Sequence, residues 1–255
     1  MSAYVPWYRG PLAAFDLETT GTDPETDRIV TAAIVGINAS ENAGPDRELV
    51  RWQAVNRYGW IAGPGVEIPA AAAAVHGVTT DRARAEGRPA AKVIREIAMV
   101  LTEYIQAGTP IVVMNAPYDF TMLDRELERH GLPPLVWGRR RMHVIDPRVL
   151  DKEVDRWRKG KRTLTDLCAH YGVTLDGAHE AAADALAAAR VAVAIGEQHS
   201  RVGSPTVDVL HLAQERWARQ QAEGLADYFR RVGRLDDAAS VRTDWPLIPR
   251  QRVAE

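Results

Sequence analysis

The chain has 255 residues, a formal net charge of −2, 46% apolar and 26% charged residues. This length suits one large domain, or a domain of about 150–200 residues plus an appendage. The near-neutral charge argues against a sequence-independent nucleic-acid coat, so any nucleic-acid contact must come from local basic patches. No run of about 18 apolar residues exists, so no membrane span is expected. Met1 to Gly10 lacks the basic-then-apolar order of a secretory signal. The single cysteine, Cys168, excludes an internal disulfide framework and fits a reducing, cytoplasmic setting.

In chain order, Pro11 to Leu17, Arg28 to Asn38 and Glu48 to Asn56 read as strands joined by short turns, an antiparallel meander. After Gly63-Pro64-Gly65, Pro69 to Val75 and Pro89 to Gln106 have helical character. Pro110 to Met114 is a short apolar run, as in a buried strand, and a helix is expected from Pro117 to His130. Met142 to Ile145 reads as a further strand ending at Asp146-Pro147. Thr163 to His170 and Glu180 to Gln198 read as helices. The sum is a mixed sheet with helices packed on it, class α/β. A boundary near Ser204 separates a domain over 1–203 from a helical extension over 204–255, with helices expected at Val207 to Val232 and Leu235 to Val241.

Asp16-Leu17-Glu18 closes the first strand. Residues two apart share a strand face, so the carboxylates converge while Leu17 turns away. A D-x-E occurs about once by chance in a chain this acidic, so its weight comes from its context. Asp119 falls in the first turn of a helix that follows a buried strand, where α/β sheets place their sites. For an isolated aspartate the alternative is a charge complementing the helix dipole. In His179-Glu-Ala-Ala-Ala-Asp184, five residues rotate by about 500° on a helix, leaving the two side chains about 140° apart. The pattern therefore puts Asp184 on the helix and His179 in the turn before it, folded back over the site. The alanines that follow let this helix approach the sheet closely.

Together these residues resemble the DEDDh (DnaQ-like) family of 3′–5′ exonucleases, the group that includes the proofreading epsilon subunit of bacterial replicative polymerase. The matching pieces are Phe15 to Gly21, Val75-His76-Gly77-Val78-Thr79, Asn115 to Phe120, Leu164 to Val173, and His179 through Asp184, in the family's order. The resemblance implies a ribonuclease-H-like fold with a five-stranded mixed sheet flanked by helices. It implies a cage of Asp16, Glu18, Asp119 and Asp184 for two divalent cations, Mg²⁺ or Mn²⁺, with Asp16 bridging both. His179 would be the general base; imidazoles titrate near neutrality, which suits that task. Leu17, Thr19, Thr20 and His76 would contact the terminal nucleotide. Family members that proofread often carry an acidic residue upstream of the His-Gly, where this chain has Ala70 to Ala74. Asp146 is a position the family uses structurally.

The expected substrate is nucleic acid with a free 3′ end, single-stranded DNA favoured, and a DNA polymerase subunit is a candidate partner. Two basic stretches, Arg139 to Arg141 and Arg156 to Arg162, are candidate phosphate contacts, the second with Trp157 available for stacking. RNA 3′-end trimming and a non-catalytic polymerase-associated binding module stay open as alternatives. Oligomeric state is not legible. The extension is expected to dock on the body, self-associate or bind a polymerase.

Overall fold

The computed structural model describes residues 5–39, 52–135 and 142–250. Six strands form one sheet: β1 (Leu12–Thr19), β2 (Ile29–Ala39), β3 (Trp52–Gly63), β4 (Arg88–Pro89), β5 (Ile111–Val112) and β6 (Val144–Ile145). Their order is β4-β3-β2-β1-β5-β6. The first three are an antiparallel meander, and β5 and β6 add in parallel beside β1. The expected five strands become six because Arg88 and Pro89 pair in parallel with Ala62 and Gly63. Proline cannot extend a ladder inward, so this strand is confined to the sheet edge. Glu48 to Arg51, expected to start the third strand, lie outside the described residues. The strand itself continues past Asn56 to Gly63, held by β2 over most of its length.

Ten α-helices are described: α1 (Ala70–His76), α2 (Thr80–Glu86), α3 (Ala90–Ala107), α4 (Ala116–Arg129), α5 (Pro147–Val154), α6 (Leu164–Tyr171), α7 (Ala181–Gln198), α8 (Ser200–Gly203), α9 (Val207–Arg231) and α10 (Leu235–Ser240). Three of them, α2, α5 and α8, go beyond the elements expected above. None is longer than eight residues, too short for a clear apolar period. For α2 and α5 the signals are local: Thr79 accepts from Arg82 N–H, and Asp146 accepts from Arg148 N–H ahead of Pro147.

The alternation along β1 organises the molecule. Ala13, Phe15 and Leu17 face one apolar layer, with α3 and α4; Leu12 and Ala14 face the other, with α6 and α7. The second series continues into Asp16 and Glu18, so both carboxylates emerge on the α7 side. Ala185, Ala188, Ala189 and Ala192 are buried, which keeps α7 close against β1 and β2. This is the ribonuclease-H-like arrangement, with a sixth strand added.

The segment after Ser204 lies along the β6 edge of the sheet. Gln214 of α9, fully buried, donates to Val144 O (2.8 Å) and accepts from Asp146 N–H (2.7 Å). Its amide thus completes the edge strand β6, whose backbone groups would otherwise be unpaired. Trp245 Nε1 donates to Asp146 (3.3 Å), and Ile248 N–H donates to Thr121 of α4 (3.0 Å). Among the described residues, no helix is long and apolar enough to cross a membrane.

Candidate active site

The end of β1 presents Asp16 and Glu18, while Leu17, 5% exposed, points into the opposite layer. Leu17 N–H donates to Asp119 Oδ1 (3.1 Å), which ties the first turn of α4 to β1 across 102 residues of sequence. Asp119 is 2% exposed. The turn before α7 brings in the remaining pair. His179 has φ 69°, a left-handed backbone that non-glycine residues seldom adopt. That conformation lets its N–H donate to Asp184 Oδ2 (3.2 Å). The imidazole is exposed above the site. Ligand atoms of Glu18, His179 and Asp184 lie within 4.8 Å of one another.

Electrostatics place Asp16 and Asp119 in the same cluster. Burial, followed by Asp119, Glu18 and Asp184, holds Asp16 well above the usual carboxylate range. Glu18 is pushed up to about 7, by burial first and Asp184 second. Burial also raises Asp119 and Asp184, opposed at Asp119 by the Leu17 N–H and at Asp184 by the His179 N–H. Like charges this close are costly unless a proton or cation intervenes. Among the described residues none of the four carboxylates pairs with a lysine or arginine, and Asp184 Oδ1 is buried without a hydrogen-bond partner. Oxygen-only donors of this kind, with uncompensated charge and an orphaned oxygen, fit hard divalent cations.

The Thr19-Thr20-Gly21 turn is built from its own side chains. Thr19 Oγ1, the Tyr118 hydroxyl and Gly21 O form a triangle of hydrogen-bond distances (2.6 Å from Thr19 and 2.8 Å from Tyr118 to the carbonyl, 2.5 Å between the hydroxyls), in which the two hydroxyl protons are shared among three contacts. Thr20 Oγ1 donates to Asp27 Oδ1 (2.8 Å) and accepts from Arg28 N–H (3.0 Å). Both hydroxyls are therefore engaged inside the turn. His76, at the end of α1, accepts from Val78 N–H at Nδ1 (3.2 Å), while its buried Nε2 has no partner. Burial lowers the His76 pKa, opposed by the Thr19 backbone, which lies beside the ring.

A family profile described as Exonuclease (RNase_T) matches residues 13–192, the stretch from β1 through most of α7. The chain belongs to this exonuclease family. The match takes in all the DEDDh motif residues. No curated protein sequence matches the chain. Three solved structures of exonuclease I resemble this exonuclease-family chain. E. coli exonuclease I with a dT13 oligonucleotide has TM-score 0.61 and 20% identity, covering 75% of this chain and 42% of that one. An exonuclease I structure solved to explain processivity has TM-score 0.62 and 20% identity, with the same coverage, 75% and 42%. The zinc-bound E. coli exonuclease I–single-stranded DNA complex has TM-score 0.61 and 20% identity, again covering 75% and 42%. At this identity the likeness speaks to fold alone, and the chain spans less than half the length of these relatives.

Three contributors lie beyond the sequence reading: Tyr118, which braces the Thr19 turn, and Gln214 and Trp245 of the extension. Tyr118 precedes Asp119, and its phenol beside the motif is the one available signal of a brace. Nothing in the sequence near Gln214 or Trp245 points 68 or 99 residues back to Asp146. Asp146, left out of the expected cage, is a hydrogen-bond hub: its carboxylate accepts from Asn115 N–H (3.1 Å), Ala116 N–H (3.0 Å), Arg148 N–H (3.0 Å) and Trp245. Arg139 to Arg141 lie outside the described residues. In the second basic stretch, Arg158 and Arg162 are both bound to buried Asp151 (2.8 Å each), and Trp157 is 84% exposed with Arg156 over its ring.

Proposed function

We propose that this chain is a metal-dependent 3′–5′ exonuclease that releases nucleoside 5′-monophosphates from nucleic-acid 3′ ends, single-stranded DNA favoured. The observation that carries the reading is the convergence of Glu18, His179 and Asp184 within 4.8 Å, with Asp16 and Asp119 coupled to the same acids electrostatically. In this reading Asp16, Glu18, Asp119 and Asp184 hold two divalent cations, Mg²⁺ or Mn²⁺. Such a pair, when bound, stabilises charge on the attacking and leaving oxygens of an in-line displacement.

The chain's own residues supply orientation and proton transfer. His179 takes a proton from the attacking water at a ring nitrogen; the water oxygen bonds to the terminal phosphorus and the P–O3′ bond breaks. The departing 3′-oxygen takes a proton from solvent. Asp184 holds the His179 backbone, so ring and cage move together. The backbone from Leu17 through Thr20, with His76 beside it, forms the wall for the terminal nucleotide. Because the Thr19 and Thr20 hydroxyls are engaged internally, this wall offers backbone groups and the His76 Nε2 position. Residues 1–203 would form the catalytic domain and 204–255 an extension bracing it, in a cytoplasmic protein.

The test is a parallel incubation of 5′-labelled single-stranded DNA, RNA and a 3′-mismatched duplex with the purified protein and Mn²⁺. A ladder shortening from the 3′ end, lost with EDTA or in Asp119→Ala, is expected, strongest for single-stranded DNA. Preference for RNA would replace the substrate assignment; persistent cleavage by Asp119→Ala would remove the cage.

A further inference from the structure

A cavity of about 270 Å³ lies at the seam between α4, α5 and the C-terminal extension. Asn115 and Pro117 line it on the catalytic side, Pro117 standing two residues before Asp119. Ala222 and the Trp245 indole form an apolar wall, and Arg148 and Lys152 face in from α5. The seam shares the first turn of α4 with Asp119, and none of the four carboxylates lines it.

The charge balance there is lopsided. Arg148 and Lys152 stand four residues apart on α5, where like charges repel, and Arg156 follows just past the end of that helix. Lys152 is half-buried, and after burial itself its pKa is lowered by Arg148, Arg162 and Arg156, with no raising group acting on it. Arg148 Nη1 donates to the neutral Asn115 Oδ1 (2.9 Å). The two acids in the lining are already engaged. Asp146 accepts four N–H donors and its charge is also stabilised by Arg148, and Asp244 is bound by Arg242 (3.0 Å), which leaves Lys152 as the cation without an acidic neighbour acting on it. The nearby Asp151 is taken by Arg158 and Arg162, and Glu153 by Arg201. Among the described residues, neither Lys152 nor Arg148 makes an ion pair. A half-buried lysine among arginines, facing a cavity, is poised for an anion.

We propose that this seam is a phosphate-binding subsite, with Lys152 and Arg148 as the cationic contacts and the Trp245 wall packing against the attached sugar. The ligand is a nucleic-acid phosphate, either one within the substrate strand or the phosphate of a released nucleoside 5′-monophosphate. The volume lies just under the usual range of roughly 300–1,000 Å³ for small-molecule sites, which suits a phosphate and its sugar more than several stacked nucleotides. The identity of the ligand rests on the exonuclease reading; the anion preference rests on the seam alone.

The experiment measures binding of the full chain to a 5′-labelled oligothymidylate by fluorescence anisotropy in EDTA, over a potassium chloride series. Wild type is compared with Lys152→Gln, Arg148→Gln and Lys152→Arg, each first checked for an unchanged thermal midpoint. If the strand phosphate occupies the seam, each glutamine variant loses several-fold in affinity and its salt slope becomes shallower by about 0.7, the value for one single-strand contact. Lys152→Arg restores both. A second titration uses inorganic phosphate and thymidine 5′-monophosphate. If both bind wild type and weaken in the glutamine variants while the oligonucleotide slope is unchanged, the free nucleotide is the ligand. Unchanged binding of all three probes in both glutamine variants overturns the subsite. Cleavage by wild type is scored separately with Mn²⁺, so its absence would overturn the exonuclease reading while leaving the anion result to stand.

Discussion

Asp146→Ala tests whether the extension and the catalytic helix are locked through one carboxylate. The substitution strands four donors: the N–H groups of Asn115, Ala116 and Arg148, and the indole of Trp245. Ala116 and Trp245 are buried, so their donors would stay dry, at about 1–3 kcal/mol each. Arg148 N–H is the first-turn group of α5 capped by this side chain, worth about 1 kcal/mol. Water can reach the Asn115 and Arg148 groups, which discounts them. Burial raises the Asp146 carboxyl, so removing it also relieves a desolvated charge and offsets part of the loss. The net expectation is about 3 kcal/mol, at the high end for a single substitution. Urea unfolding followed by circular dichroism should show a lower midpoint with an unchanged slope. Asp146→Asn, which keeps one acceptor oxygen, should fall between. A loss under about 1 kcal/mol for the alanine variant, outside the range expected for two stranded buried donors, would refute the hub.

Cation binding should depend on pH in a defined direction. Glu18 is raised to about 7 from its ordinary 4.5, so in that window the folded apoprotein keeps a proton that the unfolded chain has released. Apoprotein stability therefore falls as pH rises from about 4.5 to 7 and levels off above. Added Mn²⁺ should raise the melting temperature more at pH 8 than at pH 5; equal increments would contradict a charge shared between proton and cation. Tyr118→Phe removes the hydroxyl that spans Thr19 and Gly21, and should lower stability by about 1 kcal/mol while raising KM more than it lowers kcat. A drop in kcat alone would place Tyr118 elsewhere in the reaction. Ala188→Leu adds bulk to a fully packed face of α7, and should cost about 1–3 kcal/mol and displace Asp184 from β1, with loss of cleavage. Full activity in a stable Ala188→Leu protein would show that close approach of α7 is not needed.

What is legible in the sequence follows from short-range geometry. Alternation along β1 puts Asp16 and Glu18 on one face, and the same alternation places Leu12 and Ala14 under α7. The five-residue offset forces His179 off the face of Asp184, and the positive φ at His179 is how the backbone accomplishes it. Illegible features depend on long-range partners or on very short elements. The sixth strand is two residues long and exists only because Ala62 and Gly63 are beside it. The role of Gln214 depends on an edge strand whose backbone needs an amide, which local pattern cannot express. The basic stretch from Arg156 to Arg162 reads equally as candidate phosphate contacts or as a solvated loop. Two of its arginines instead neutralise Asp151, a residue that is fully buried and silent in the sequence.

Whether the carboxylates form a metal cage is decided by Asp16→Asn, assayed for both stability and cleavage. Asp16 lies amid Asp119, Glu18 and Asp184, and after burial its carboxyl is raised by all three. If the cluster exists to hold cations, neutralising Asp16 relieves repulsion in the apoprotein while dismantling the cage. Above pH 7 in EDTA, the variant should melt at or above the temperature of wild type. With Mn²⁺ it should gain little further stability and should not shorten 5′-labelled single-stranded DNA. An Asp16→Asn protein that is cleavage-competent, or that gains as much stability from Mn²⁺ as wild type does, would contradict the cage.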